Sequence, residues 1–248
     1  MALHETFSLG VDPELGLQAE VAALNAQFED AVAQDILQAS IRHQFAGEIA
    51  MVSSFGADSA VLLHMVSQVD PTTPVLFVDT VKLFPATILY RDELVAKLGL
   101  TDVRTFKPSK DDLAEKDPAG MLWMSDTDAC CHIRKVVPLE RALHGFDAWI
   151  SGRKRHQSST RSELDVFEID AGRVKINPLA DWSAADILDY AKSYNLPPHP
   201  LVAEGYPSIG CLPCTSKVAP GEDPRAGRWR GQDKTECGIH WPTHGHEN

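Results

Sequence analysis

The chain has 248 residues, 44% of them hydrophobic, enough for one large core or two small ones. Its formal net charge of −12 argues against broad nucleic-acid binding, which needs a basic footprint. No stretch approaches the roughly 20 apolar residues of a membrane span, and the start Met1-Ala2-Leu3-His4-Glu5 lacks the basic-then-apolar pattern of an export signal, so a soluble cytoplasmic protein is expected.

In chain order, the Ala/Leu/Gln-rich segment from about Glu14 to Phe45 predicts two helices. Ile49 to Phe55 is a short apolar strand ending in hydroxyls. Gly56-Ala57-Asp58-Ser59 then opens a helix to about Val69. Val75 to Thr80 is a buried-type strand, and Pro85 to Leu98 a helix with proline in its first turn. Val103 to Phe106 is a weaker strand, Cys131 to Leu143 a helix, and Ala148 to Gly152 a fourth strand. Val166–Ile169 and Val174–Ile176 flank Ala171-Gly172 as a hairpin appended to the sheet. Ser183 to Asp186 resembles a capping box for a helix ending near Asn195, and Pro197 and Pro198 stop it. From Thr215 onward Gly, Pro and charge predict loop. Alternating strands and helices imply an α/β fold, a mostly parallel twisted sheet flanked by helices. The expected division is one domain over 1–214 and a mobile tail over 215–248.

The five cysteines carry the sharpest signal. Cys130 and Cys131 are adjacent, Cys211 and Cys214 form a C-x-x-C, and Cys237 stands alone in Glu236-Cys237-Gly238-Ile239-His240. Two close pairs can hold one metal group. Structural zinc spaces its ligands as C-x₂₋₄-C, so adjacent cysteines make a poor zinc half-site. Iron–sulfur ligation uses more varied spacings and is favoured here, with zinc as the alternative. An odd count and no export signal disfavour a disulfide framework. The fifth thiol reads as a separate reactive group.

Ser53-Ser54-Phe55-Gly56-Ala57-Asp58-Ser59 sits at a strand-to-helix junction, where free N–H groups and the positive helix end favour anions. Gly56 lets a ligand approach the backbone, and Ser53, Ser54 and Ser59 add hydroxyls. It is not a Walker A loop. A helix cap is the plainer reading of such a turn. Its position favours a ligand, because ligands of open α/β sheets bind beyond the carboxyl ends of strands. Basic islands at Arg153, Lys154, Arg155 and Arg161, and at Lys217, Arg225, Arg228, Arg230 and Lys234, suit a small anion on an acidic protein.

In order along the chain stand the Ser-Ser-Phe-Gly turn, Cys130 to Leu139 as Cys-Cys-x-Ile-Arg-Lys-Val-x-Pro-Leu, and Ser151-Gly152-Arg153 through Thr160-Arg161. Ile209-Gly210-Cys211-x-x-Cys214-Thr215, Arg225-x-x-Arg228-Trp229 and Glu236-Cys237-Gly238-Ile239-His240 follow. From about Phe45 to His240 this resembles the assimilatory adenylyl-sulfate (APS) reductases of the bacterial iron–sulfur type. The resemblance implies an adenine-nucleotide alpha-hydrolase-like fold with a flexible catalytic tail. It implies a 4Fe-4S cluster on Cys130, Cys131, Cys211 and Cys214, with Cys237 as nucleophile. The nucleotide would meet Ser53, Ser54, Phe55, Gly56, Ser59, Leu83 and Gly152, and the phosphosulfate Lys135, Arg161, Arg225, Arg228 and His240. It implies thioredoxin as reductant, sulfite for cysteine synthesis as product, no nucleic-acid or membrane partner, and a possible homo-oligomer. One departure stands out: the family's Leu-Asp-Thr-Gly is Val78-Asp79-Thr80-Val81 here. The alternatives are a phosphoadenylyl-sulfate (PAPS) reductase, a non-catalytic nucleotide-binding iron–sulfur sensor, and an ATP-pyrophosphatase-type ligase or tRNA thiolation enzyme. The four paired cysteines count against the first, Cys237 against the second, and the missing glycine pair and acidic charge against the third.

Overall fold

The computed structural model describes residues 13–158 and 161–240. Period-two alternation along short apolar strands builds a core on each face of one sheet. In β1 (Ile49–Val52), Ile49 and Met51 join the larger core and Ala50 the smaller. β2 (Val75–Val78) likewise sends Val75 and Phe77 one way and Leu76 the other. β4 (Ala148–Ile150) directs Ala148 and Ile150 against Trp149. Each large side chain buried this way contributes about 1.5–3 kcal/mol.

With β3 (Val103–Phe106), β5 (Phe167–Asp170) and β6 (Arg173–Ile176), the sheet has six strands in the order β3-β2-β1-β4-β6-β5. All neighbours are parallel except β5 and β6. The expected hairpin is appended at the sheet's edge: β6 pairs parallel with β4, and β5 returns antiparallel as the outermost strand.

The larger core is covered by α1 (Pro13–Gln27), α2 (Ala33–Ala39), α3 (Ser59–Val69), α4 (Pro85–Leu98) and α9 (Ala184–Ser193). Local chemistry sets their ends. Pro85 opens α4, and Gly99, at φ 65°, closes it. Ser183 and Asp186 form the expected capping box on α9, worth about 1 kcal/mol. The smaller core is covered by α8 (Val137–Ala142). Three short helices were not anticipated: α5 (Lys110–Lys116), α6 (Leu122–Ser125) and α10 (Pro200–Ala203). They are too brief to show a helical period.

The two outer edges are finished differently. On β5, the side-chain amide of Asn25 from α1 donates to the Phe167 carbonyl at 2.8 Å and accepts from its N–H at 3.0 Å. On β3, Arg104 pairs with Asp102 at 2.6 Å, and its guanidinium covers the Phe146 ring.

Strand order reverses between β1 and β4, and the crevice beyond the carboxyl ends at such a switch point is where open sheets bind ligands. Here it receives the turns after β1, β2 and β4, and the tail 215–240 folds back onto it. The tail has little regular structure, as expected: an isolated bridge between Thr215 and Arg228 and one 3₁₀ turn, Gly238–His240. Among the described residues no helix is long and apolar enough to cross a membrane.

Candidate active site

The turn after β1 is tightly self-bonded. Ser53 is buried, and its Oγ accepts from the Phe55 N–H at 3.2 Å. Phe55 adopts φ 48°, and its ring is fully buried, edge-on to Phe77 at 5.4 Å. Phe55 can therefore serve a ligand only through its backbone. Gly56 lies close beneath Ile209, whose carbonyl would sit 3.6 Å from an added Cβ. Ser54 is exposed, and the Ser59 N–H closes the turn on the Gly56 carbonyl at 3.2 Å.

From the end of β4 comes a residue that composition suggested only as part of an island. Lys154 is 2% exposed, and its Nζ lies 3.2 Å from an Asp58 carboxylate oxygen and 3.2 Å from the Gly152 carbonyl. Burial lowers its pKa, against the pull of Asp58. Gly152 itself is exposed, at the same strand end.

The four paired cysteines line one pocket, although they come from distant segments. Cys130 and Cys131 end α7 (Thr127–Cys131), which Asp126 caps by accepting from the Ala129 N–H at 2.8 Å. The chain then widens into a π-helical turn, His132–Val136, before α8. Such turns recur at functional sites. Pro138 helps here, because it has no N–H to demand the tighter α-helical bond.

Cys211 precedes and Cys214 ends a 3₁₀ turn, Leu212–Cys214, pinned from outside. Cys211 bridges Leu83, the Leu212 N–H donates to the Lys82 carbonyl at 2.7 Å, and Thr215 Oγ1 donates to the Cys211 carbonyl at 2.9 Å. Leu83 is thus tied to the second cysteine pair. Thr80 Oγ1 lies 3.2 Å from Cys211 Sγ. The strand-end loop holding Thr80 is strained, with Val81 at φ 59°.

Burial dominates the thiols. It pushes Cys130 up to about 11, with Cys131 adding to the effect and Arg134 opposing it. It also raises Cys131 and Cys214. Cations answer from the same wall. Arg134 is buried, with Nη2 on Asp117 at 2.6 Å and Nη1 on the Thr80 carbonyl at 3.0 Å. Its Nε is buried without an acceptor. Burial works against the charge on Lys135, but Cys211, Cys237 and Cys131 together outweigh it and hold the ammonium protonated. Among the described residues, no three His, Cys, Asp or Glu side chains are placed to hold a single metal ion.

The tail brings the fifth thiol to this wall. Gly238 packs so closely on the π-helical turn that an added Cβ would stand 3.0 Å from Val136 Cγ2. Cys237 is partly buried, and its neighbour Glu236 is 6% exposed. Arg161 and Glu236 form a two-pronged pair, Nε and Nη2 each donating to a carboxylate oxygen at 2.7 Å. Arg225 reaches Glu236 at 3.4 Å and the Thr235 carbonyl at 2.9 Å. Arg228 stacks over Trp229 at 4.4 Å, and the Trp229 N–H donates to the Cys214 carbonyl at 3.0 Å. Lys234 pairs with Asp128 on α7. The backbone of His240 closes the 3₁₀ turn; its side chain, like Ser159 and Thr160, lies outside the described residues.

The crevice thus gathers the β1 turn, the four-thiol pocket, Lys135, and the tail with Cys237, Arg225 and Arg228. Arg161 is also here, but its two-pronged edge faces Glu236 rather than open space. The sequence reading did not select Thr80, Arg134, Lys154 or Glu236. Arg134 and Glu236 stood inside the quoted cysteine motifs but were given no role of their own. Thr80 and Lys154 mark strand ends, where topology alone says they converge.

The chain matches the phosphoadenosine phosphosulfate reductase domain over residues 48–217. It is 53% identical over 229 residues to the adenosine 5'-phosphosulfate reductase of Mesorhizobium japonicum, covering 92% of this chain and 90% of that protein. It is 40% identical over 243 residues to the phosphoadenosine 5'-phosphosulfate reductase of Gloeobacter violaceus, covering 96% and 98%. Among solved structures, the phosphoadenylyl-sulfate reductase of Candida auris, a phosphate complex, superposes with a TM-score of 0.68 at 28% identity, over 81% of this chain and 97% of that one. By domain match, by identity across almost its full length and by fold, the chain belongs to the phosphoadenosine phosphosulfate reductase family.

Proposed function

We propose that the chain reduces APS to sulfite and AMP in the cytoplasm, with a thioredoxin as reductant, to supply sulfite for cysteine synthesis. The carrying observation is the place of Lys135, buried between the four-thiol pocket and Cys237. The name of the Mesorhizobium japonicum relative supports the substrate.

The pocket suits a 4Fe-4S cluster. Four thiols line it, and the same wall holds Arg134, whose Nε is buried without an acceptor. Cys130, Cys131, Cys211 and Cys214 would hold the cluster. When bound, it supplies a buried negative charge that Lys135 faces; the two electrons of the reaction come from the dithiol.

Cys237 attacks the sulfur of APS as a thiolate. The bond from sulfur to the phosphate oxygen breaks, and AMP leaves with the electron pair. The product is the thiosulfonate Cys–S–SO₃⁻. A thioredoxin thiolate then attacks the Cys237 sulfur, sulfite departs, and the second thiol resolves the mixed disulfide. An anion attacks an anion, so cations that bear on the reacting group in the transition state contribute most. Lys135 provides a point charge, and Arg225 and Arg228 planar forks. The Ser53–Ser59 turn, Leu83 and Gly152 seat the nucleotide, and His240 follows the nucleophile. The tail carrying Cys237 moves, meeting first the nucleotide and then thioredoxin.

The test is sulfite release with thioredoxin from APS and PAPS in competition, on anaerobically purified protein. A strong preference for APS in kcat/KM, with about four irons and four sulfides per chain, is expected for one such cluster. Equal efficiency with PAPS, or zinc in place of iron, overturns it.

A further inference from the structure

A buried carboxylate beside a nucleophile that must attack an anion needs a reason, because it adds negative charge where catalysis wants positive. Glu236 is such a group. It is 6% exposed and immediately precedes Cys237. Its two oxygens meet Arg161 Nε and Nη2 at 2.7 Å each, and Arg161 is also 6% exposed. The remaining arm of Arg161 is held by Gln157 Oε1 at 2.6 Å, which fixes the plane of the fork. Arg225 leans on the same carboxylate at 3.4 Å while gripping the Thr235 carbonyl.

On the other side of Cys237, Gly238 rests against Val136 of the π-helical turn. The thiol is therefore suspended between two fixed points, an ion pair before it and a backbone contact after it. A planar, two-bonded arginine–carboxylate pair fixes direction as well as distance.

We propose that Glu236 is the positioning residue for Cys237, with Arg161 as its socket, and that this pair holds the tail over the crevice. While the tail is seated, the edge of Arg161 that would grip a phosphosulfate is taken, so Arg161 acts on the reaction through Glu236. The proposal rests on Cys237 being the nucleophile. Removing either partner strands the other charge in a dry site, which favours release of the tail.

The test uses the full-length, anaerobically purified protein and two readouts. The first is the rate of Cys237 alkylation by iodoacetamide, followed by peptide mass spectrometry. The second is the rate and half-saturation of sulfonate transfer from APS to Cys237 in a single turnover. E236Q is expected to raise alkylation by about ten-fold or more and to lower transfer at saturating APS by a similar factor, as loss of one charged contact implies. Half-saturation should stay near wild type. E236D, which keeps the charge, should recover most of both rates, and adding R161K to E236Q should make nothing worse. Wild-type rates in E236Q would sink the proposal. So would R161K raising half-saturation while leaving alkylation unchanged, because Arg161 would then be a substrate ligand. If the wild-type protein forms no sulfonate from APS, the functional reading fails, and alkylation alone decides the anchor: faster in E236Q sustains it, unchanged removes it.

Discussion

Gly210 and Arg228 are interlocked. A methyl group built on Gly210 would stand 2.2 Å from Nη2 of Arg228 and 2.5 Å from its Cζ. The guanidinium lies across bare backbone and stacks on Trp229, whose backbone N–H donates to the Cys214 carbonyl. The absence of a side chain at 210 is thus what lets a cation approach the second cysteine pair.

Gly210→Ala should accordingly push Arg228 off its seat and disturb the Cys211 backbone. Turnover should fall about ten- to a hundred-fold, the worth of a charged contact, and iron content should fall with it. Arg228→Ala should lower turnover by a similar factor while iron stays near wild type. Metal analysis beside initial rates separates the two. Wild-type turnover in Gly210→Ala would mean the contact carries no function.

Cys237→Ser should retain the visible absorbance of the proposed cluster and bind APS, yet form no thiosulfonate. Intact-mass and peptide spectra of wild type mixed with APS alone should place the adduct on Cys237. Finding it on any of the other four thiols would remove Cys237 from the mechanism.

Val81 carries φ 59° on a β-branched side chain that is 55% exposed. Its side chain packs little, and the bond that holds the turn, from the Val81 N–H to Asp79 Oδ1 at 2.9 Å, is one a glycine would keep. Val81→Gly should relieve about 1–2 kcal/mol of left-handed strain and return about 0.5–1 kcal/mol as added freedom of the unfolded chain. A net gain of up to about 1.5 kcal/mol should appear in urea unfolding. A lower midpoint would show that the valine makes a contact that outweighs its conformation.

His199 is fully buried and wired as a neutral ring. Nδ1 accepts from the Leu201 N–H at 3.2 Å, so the ring proton sits on Nε2 and points to Thr87 Oγ1 at 3.1 Å. A proton on Nδ1 would face a donor, and burial pulls the pKa from 6.5 down to about 4. The unfolded chain binds the proton first as pH falls. The contribution of His199 is therefore complete above pH 6.5 and is lost progressively towards about pH 4. Roughly 1–3 kcal/mol of stability should disappear over that window in wild type and not in His199→Gln. Parallel stability curves for the two proteins would refute it.

The helices and strands built from long periodic or apolar runs were legible in the sequence. Pro85 to Leu98 and Val103 to Phe106 form as the pattern dictates. The β1 strand stops at Val52, short of the expected Phe55, because the hydroxyl of Ser53 bonds back to the Phe55 N–H and turns the chain. The hairpin was legible around Ala171-Gly172, but its neighbour was not, because strand pairing is a long-range choice: nothing in Val174 to Ile176 says it will lie beside β4. In the site, the cysteines announced themselves by spacing. Glu236 and Lys154 did not, since a buried charge is recognisable only once its partner 75 or 96 positions away is known. Phe55 shows the reverse: a residue inside a motif whose ring belongs to the core, leaving its backbone to meet a ligand.

The amide of Asn25 occupies both outward backbone groups of Phe167 on β5, as a neighbouring strand would. An open sheet edge is a template for another copy of itself, and proteins that leave one bare risk stacking into aggregates. One asparagine closes that template at the start of β5, while Arg104 and Asp102 guard β3 with charge. Replacing Asn25 would therefore endanger solubility at high concentration before it touched catalysis, from a position far in sequence from every cysteine.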